Sequence, residues 1–379
     1  GIIEGPIHLT RAEDAIDLSG QWLFHAGDAP AWASWWHDPG SADGKLEAEA
    51  FFNLAGAKHA GHRGLVAADI AYRERMIAAV YKRFEGNNNP FAKNDDKGDP
   101  KSPEDSLATL KIADGLAVDN VLAEPVITQP LYVDFDERGR MWVAEYIQYP
   151  NPAGLKVLTW DAHLRKVFDQ VPPPPPYQKP EQRKFLGKDK LSIHEDTDGD
   201  GNYDKHSVFV DGLNLVTSST RGRGGVWVMH PPYLLFYPDA DNDDVPDSDP
   251  VVHLSGFGLE DTHSIANSLK WGPDGWLYGA TGSTVTARIR AHLSASDKRT
   301  TFMGQAIWRY HPESHLFELF AEGGWNTFGV DFDDQGRVYS GTNSNLQAVY
   351  FVQDGFYQKG FGKHGPHTNP YAFGYFGGL

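Results

Sequence analysis

There is no cysteine among the 379 residues. That excludes disulfides, zinc–thiolate sites, iron–sulfur clusters and covalently attached c-type haem within the chain. Positive charge is also short: 34 lysines and arginines stand against 51 carboxylates, a formal net charge of -17. Nucleic-acid binding needs a basic face, so this balance argues against a nucleic-acid partner. No apolar run approaches the roughly 18 residues that a membrane-crossing helix needs, so an integral membrane protein is not expected. The chain begins at Gly1 without the basic and apolar segments of a secretory signal. Either a signal was removed or the chain is a fragment.

What the chain has in quantity is turns and rings: 40 glycines, 25 prolines, 11 tryptophans and 21 phenylalanines. Many turn residues combined with many aromatics suit an all-β protein of short strands. Residues 1–84 read differently, as an N-terminal region of uncertain, mixed fold. It ends in a helix over Val66–Phe84, where Ile70, Ile77, Val80, Tyr81 and Phe84 share one face. Residues 85–115 read as a linker by composition, and strands and turns take over from 116 to 379.

The strand region repeats itself. Phe135-Asp136-Glu137-Arg138-Gly139-Arg140-Met141-Trp142-Val143 matches the nine residues from Trp271 to Gly279, and both match the nine from Phe332 to Ser340. A shorter copy runs from Arg223 to Val228. Each reads as strand, aspartate–glycine turn, strand. Gly139, Gly225, Gly275 and Gly336 are separated by 86, 50 and 61 residues. The long gap holds five successive prolines, Pro172 to Pro176, which belong in a loop. A period of this size fits four strands plus loops. The fold class expected is therefore all-β, a β-propeller of the six-bladed type with about four blades in this chain. The run Asn369 to Tyr375 lies in what looks like the middle of a domain, so the remaining blades are expected from outside this chain.

Two acidic runs carry calcium-loop spacing. In Asp196-Thr197-Asp198-Gly199-Asp200-Gly201-Asn202-Tyr203-Asp204, carboxylates stand at positions 1, 3, 5 and 9, with glycine at 6. The Asn202 carbonyl would serve at position 7. Position 12 is Ser207, so this is a loop between strands and not an EF-hand. The run from Asp239 through Asp241, Asp243, Val245 and Asp247 repeats the spacing with two departures, Asp244 in place of glycine and a stiffening Pro246. Both would be structural calcium sites, and the competing reading is a solvated acidic turn.

A third constellation is Glu260-Asp261-Thr262-His263-Ser264-Ile265-Ala266-Asn267, leading into a repeat strand. His263 would sit near the central channel with Asp261 orienting its imidazole, as a general base needs. A buried histidine bridging two blades is the alternative. Arg223, Asn267, Arg309 and Asn326 are candidate cofactor or substrate contacts. His364 and His367 are further ligand candidates on a glycine–proline loop.

The stretches Pro125–Tyr146, Asp196–Leu213, Gly256–Ser283 and Gly304–Tyr375 resemble the "membrane-bound dehydrogenase" propeller family of planctomycetes and verrucomicrobia. That family is similar to the soluble dehydrogenases of glucose and aldose sugars that depend on pyrroloquinoline quinone (PQQ). The resemblance implies a sugar or alcohol substrate, hydride transfer to the quinone and a catalytic histidine at or next to His263. It also implies calcium, a periplasmic or extracellular location and a c-type cytochrome as acceptor. Without cysteine, that acceptor would be a separate protein. Two other readings stand beside it: a non-catalytic, calcium-stabilised propeller serving as scaffold in an envelope assembly, and a lactonase-type metal hydrolase.

Overall fold

The computed structural model describes residues 101–160, 165–324, 326–342, 349–357 and 359. The helix expected over Val66–Phe84, and His364 and His367, lie outside the described residues. The chain divides into two compact units, 1–119 and 120–379. In the first, helix α1 (Pro103–Ala108) stands within the span expected as linker. Ser102 caps it by accepting the Asp105 amide at 3.1 Å, and Pro103 opens it with a pre-set φ.

The second unit is a succession of antiparallel meanders. The first joins β1 (Pro130–Phe135) to β2 (Met141–Glu145). It is interrupted by the hairpin β3 (Val157–Trp160) and β4 (Lys166–Phe168), then continues into β5 (Asp189–Glu195) and β6 (Lys205–Leu213). The second runs β7 (Ser218–Arg221), β8 (Gly225–His230), β9 (Tyr233–Pro238) and β10 (Val251–Ser255). The third begins with β11 (Ala266–Trp271) and β12 (Leu277–Thr281). Here the chain departs to make the hairpin β13 (Thr286–Ala291) and β14 (Arg299–Met303), which extends the second sheet beyond β10. It returns as β15 (Ala306–His311) and β16 (Leu316–Glu322). The fourth comprises β17 (Thr327–Phe332), β18 (Val338–Thr342) and β19 (Val349–Phe351), while β20 (Gly355–Phe356) pairs parallel to β16. First strands meet in sequence, β1 with β7, β7 with β11 and β11 with β17. This is the blade arrangement of a propeller, as the repeats led one to expect.

Period-two alternation packs each blade against both neighbours. In β8, Val226 and Val228 face the first blade while Trp227 and Met229 face the third. In β12, Tyr278 and Ala280 face the fourth blade, and Leu277 lies in the core shared with the second. The largest of these side chains, Trp227 and Trp308, are fully buried. Gly279 is glycine because a Cβ there would lie 2.2 Å from the Trp308 ring.

The four inner hairpins are those of the sequence repeats, with one correction. The turn glycine of the second copy is Gly224 (φ 79°), equivalent to Gly139 (φ 78°), Gly275 (φ 81°) and Gly336 (φ 74°). Gly225 is instead the first residue of β8. The one-residue shift brings Trp142 and Trp227 into correspondence.

Strand direction defines two ends. The inner hairpin turns lie at one, the hairpin end. Because His194 pairs with Met141 and Pro238 with Gly225, the loops after β5 and β9 lie there too. The first strands of the blades begin at the other, the entry end.

Candidate functional site

At the entry end, the loop before β11 is fastened to the segment following β2. Tyr146 donates its hydroxyl to the Thr262 carbonyl (3.1 Å), and the Thr262 hydroxyl donates to the Pro150 carbonyl (2.8 Å). The loop makes a tight turn on Asp261, whose Oδ1 accepts the His263 amide at 3.1 Å and lies 3.2 Å from His263 Nδ1. Thr284, from the segment after β12, donates its hydroxyl to Asp261 Oδ2. The other imidazole nitrogen, Nε2, is hydrogen-bonded to the Tyr149 hydroxyl, and the two rings meet edge-on at 5.0 Å. A carboxylate beside Nδ1 holds the proton on that nitrogen, so Nε2 is the basic one. Burial, and then the charge of Asp261, push the Tyr149 phenol up from its ordinary value, which keeps it protonated. The His263 side chain is 70% exposed. It is therefore an accessible imidazole with a fixed tautomer, and not a buried tie between blades.

Asn326 joins this end. Its Oδ1 accepts the Ser283 amide at 2.9 Å, and Gly282 permits that approach, since a Cβ there would lie 2.8 Å from Oδ1. Asn267 has a different environment. Its buried amide donates to the Ile265 carbonyl and reaches Thr327 of the fourth blade, while its oxygen accepts the Ser268 hydroxyl. It serves as a tie between the third and fourth blades.

The two arginines do not converge on His263. Arg223 occupies the β7–β8 turn at the hairpin end, paired with Glu313 at 2.6 Å. Arg309 pairs with Glu318 (2.6 Å) and Asp274 (3.2 Å) and lies 4.4 Å over Trp276. Arg309 is level with Tyr278, itself paired with Lys270 near the far end of β11. That separates it from His263 by most of a strand, roughly 15 Å at the usual rise.

Sequence reasoning missed Tyr149 and Thr284. Tyr149 follows the inner hairpin of the first blade and meets His263 only when blades pack, whereas Thr284 follows that of the third and is brought to Asp261 by the pairing of Ala266 with Thr281.

The acidic loops lie at the hairpin end. Asp196, Asp198 and Asp200 each offer an oxygen within 4.8 Å of the others, as do Asp239, Asp241 and Asp243. Asp204 accepts the amide and hydroxyl of Thr197, and Asp247 accepts the Ala240 amide, so these two close their loops. The Asn202 amide is held by Asp200, and the Val245 amide by Asp243.

A family profile described as a domain of unknown function, DUF7133, matches residues 102–372. The chain belongs to the DUF7133 family. No curated protein matches it. Among solved structures, a Thermus thermophilus protein provisionally described as an oxidoreductase (glucose dehydrogenase) is similar at 16% identity and TM-score 0.32. The alignment covers 69% of this chain and 72% of that one. The extracellular domain of a provisionally described one-component system from B. thetaiotaomicron is similar at 11% identity and TM-score 0.25. Here 62% of this chain is covered but only 34% of the other. Among the described residues of this DUF7133 chain, no helix is long and apolar enough to cross a membrane.

The cofactors implied by resemblance fit unequally. PQQ is a polycarboxylate, and its contacts should be cationic. The expected arginines lie at the far end, already paired with carboxylates, and the group beside His263 is Asp261. The two arginines expected to hold the quinone therefore do not gather beside His263. Calcium fits the Asp239 loop, where the buried Asp239 Oδ2 has no hydrogen-bond partner among the described residues. In the exposed Asp196 loop, both Asp196 oxygens are already taken by the amides of Gly199 and Gly201.

Proposed function

We propose that the entry end of this propeller is a general acid–base site that activates a hydroxyl group of a small sugar or alcohol, the dehydrogenase-like reading. The observation that carries it is the chain Thr284–Asp261–His263–Tyr149. Thr284 and Asp261 fix the imidazole, the Asp261 carboxylate compensates the charge His263 gains on protonation, and Tyr149 presents a phenolic hydroxyl to Nε2. A substrate hydroxyl replacing or approaching that phenol would lose its proton to His263, directly or through Tyr149. The net carboxylate character of the loop favours a neutral, hydroxylated substrate over an anion.

The test is a turnover screen over aldoses and alcohols in calcium, with a dye acceptor, with and without added PQQ. His263→Ala should reduce turnover by about 10²–10⁴-fold while melting with the wild type, since the side chain is exposed. An inactive wild type across the panel, in both conditions, would sink the proposal. A second reading, a non-catalytic scaffold, is favoured by one observation: Arg223 and Arg309 are paired within the protein and point to no ligand.

A further inference from the structure

We propose that the loop Asp239–Asp247 binds a calcium ion that acts as a latch across the seam between the first and second blades. The inference is independent of the chemistry proposed for His263.

Successive residues of the loop serve two opposite purposes. Asp239, Asp241 and Asp243 gather three carboxylate oxygens within 4.8 Å of one another. That is the spread expected of ligands around an ion at 2.3–2.6 Å. Asp239 is only 3% exposed; its Oδ1 accepts the Asp243 amide at 3.1 Å, and its Oδ2 has no partner among the described residues. A buried, bare carboxylate oxygen is costly, and a cation at the focus of the three carboxylates removes that cost.

The intervening residues face the blades. Asn242 (φ 63°) and Asp244 (φ 69°) adopt the left-handed conformation that Asn and Asp tolerate better than other side chains. Their groups are thereby delivered to three arginines. Arg140 grips Asp244 with two bonds, one of them 2.9 Å. Arg221 reaches Asp244 at 3.2 Å and also bonds the Asn242 side chain, and Arg138 donates to the Asn242 carbonyl at 3.3 Å. Arg138 and Arg140 belong to the first blade's inner hairpin, while Arg221 ends β7 of the second. A cavity of about 220 Å³, lined by Asp136 and Trp142 of the first blade, Arg221 of the second and Trp271 of the third, opens beside them. The Asp244 that departs from the glycine of a calcium loop is thus the residue that carries the loop's grip to both blades.

Without the ion, three adjacent carboxylates repel one another and pull the loop out of the shape that aims Asp244 and Asn242. Calcium therefore stabilises the seam as well as the loop. The Asp196 loop has no comparable reach.

The experiment is hydrogen exchange on the full chain with calcium and with a chelator, paired with a calcium titration. Chelation should deprotect 239–247 and also the first blade's hairpin, 136–145, while the fourth blade's hairpin, 333–340, stays unchanged. Asp241→Asn, on an exposed ligand position, should weaken calcium binding at least tenfold and reproduce the chelated pattern in the presence of calcium. Asp198→Asn should leave the protection of 136–145 intact. Three results overturn the latch: no calcium binding, calcium-dependent protection confined to 195–204, or protection of 239–247 that leaves 136–145 unmoved.

Discussion

The two acidic loops have nearly the same sequence spacing and opposite physical character. The Asp196 loop is the more regular: its position-six glycine, Gly201, adopts φ 92°, and backbone amides satisfy its first aspartate. It stands exposed and holds itself. The Asp239 loop departs from the pattern at Asp244, buries its first aspartate with one oxygen bare, and is gripped by arginines of two blades. Regular spacing marks a loop that can fold by itself, whereas burial and an unmet charge mark one that needs something from outside.

Among single substitutions, breaking the second loop's grip should have the largest effect. Asp244→Ala leaves Arg140, whose side chain is 6% exposed, without its bidentate partner, and should cost about 3 kcal/mol in urea unfolding. Retention of wild-type stability would mean the arginines re-pair with Asp136 alone.

Acid comes next. Burial lowers the pKa of His230 and of His253 to about 4 and raises that of Asp189 to about 7. Between pH 6.5 and 4 the unfolded chain holds two more protons on these histidines, and the native chain holds one more on Asp189. Unfolding then takes up one net proton, and stability falls by about 1.4 kcal/mol per pH unit as pH drops through that window. His194 and His292, also lowered by burial, act in the same direction, while Asp134 and Asp239, raised by burial, oppose them. A flat profile would show that these histidines are hydrated in solution.

Asp239→Asn sharpens the contrast by its sign. In calcium it should lose about 1 kcal/mol, and in chelator it should melt no lower than the wild type, because the bare charge has gone. A loss of equal size in both conditions would count against an ion at this loop. The smallest effect belongs to the first loop: Asp204→Ala, which removes only the exposed bonds to Thr197, should leave the melting temperature within the scatter of the measurement.

Much of the fold was readable from local pattern, because each inner hairpin encodes its own turn. Asp136 and Asp333 accept amides two and four residues ahead, and Asp274 one two ahead, while a glycine at φ near 80° closes each turn. The one-residue slip at Gly224 arose because two adjacent glycines fit the same pattern. The pairing of Asp261 with His263 was readable for the same reason, two residues apart in one turn. Tyr149 was not, since its contact with His263 is made only when blades pack; Thr284 meets Asp261 through the β11–β12 register, which pairs residues well apart in the chain. Arg223 and Arg309 stood out in the sequence as candidate cofactor or substrate contacts by their charge. Which end of a strand each occupies follows only from strand direction, and strand direction separates them from His263.

The hairpin β13–β14 leaves the third blade between β12 and β15 and adds its ladder to the edge strand of the second, with Leu254 opposite Ala291. The second blade thus borrows its outermost strands from its successor. These two blades cannot part by sliding one packed face off the other; backbone hydrogen bonds must break first. Partial unfolding should then treat them as one cooperative block. The insert cannot be trimmed as though it were a loop: excision would bare the β10 edge, turning a covered sheet into a template for self-association.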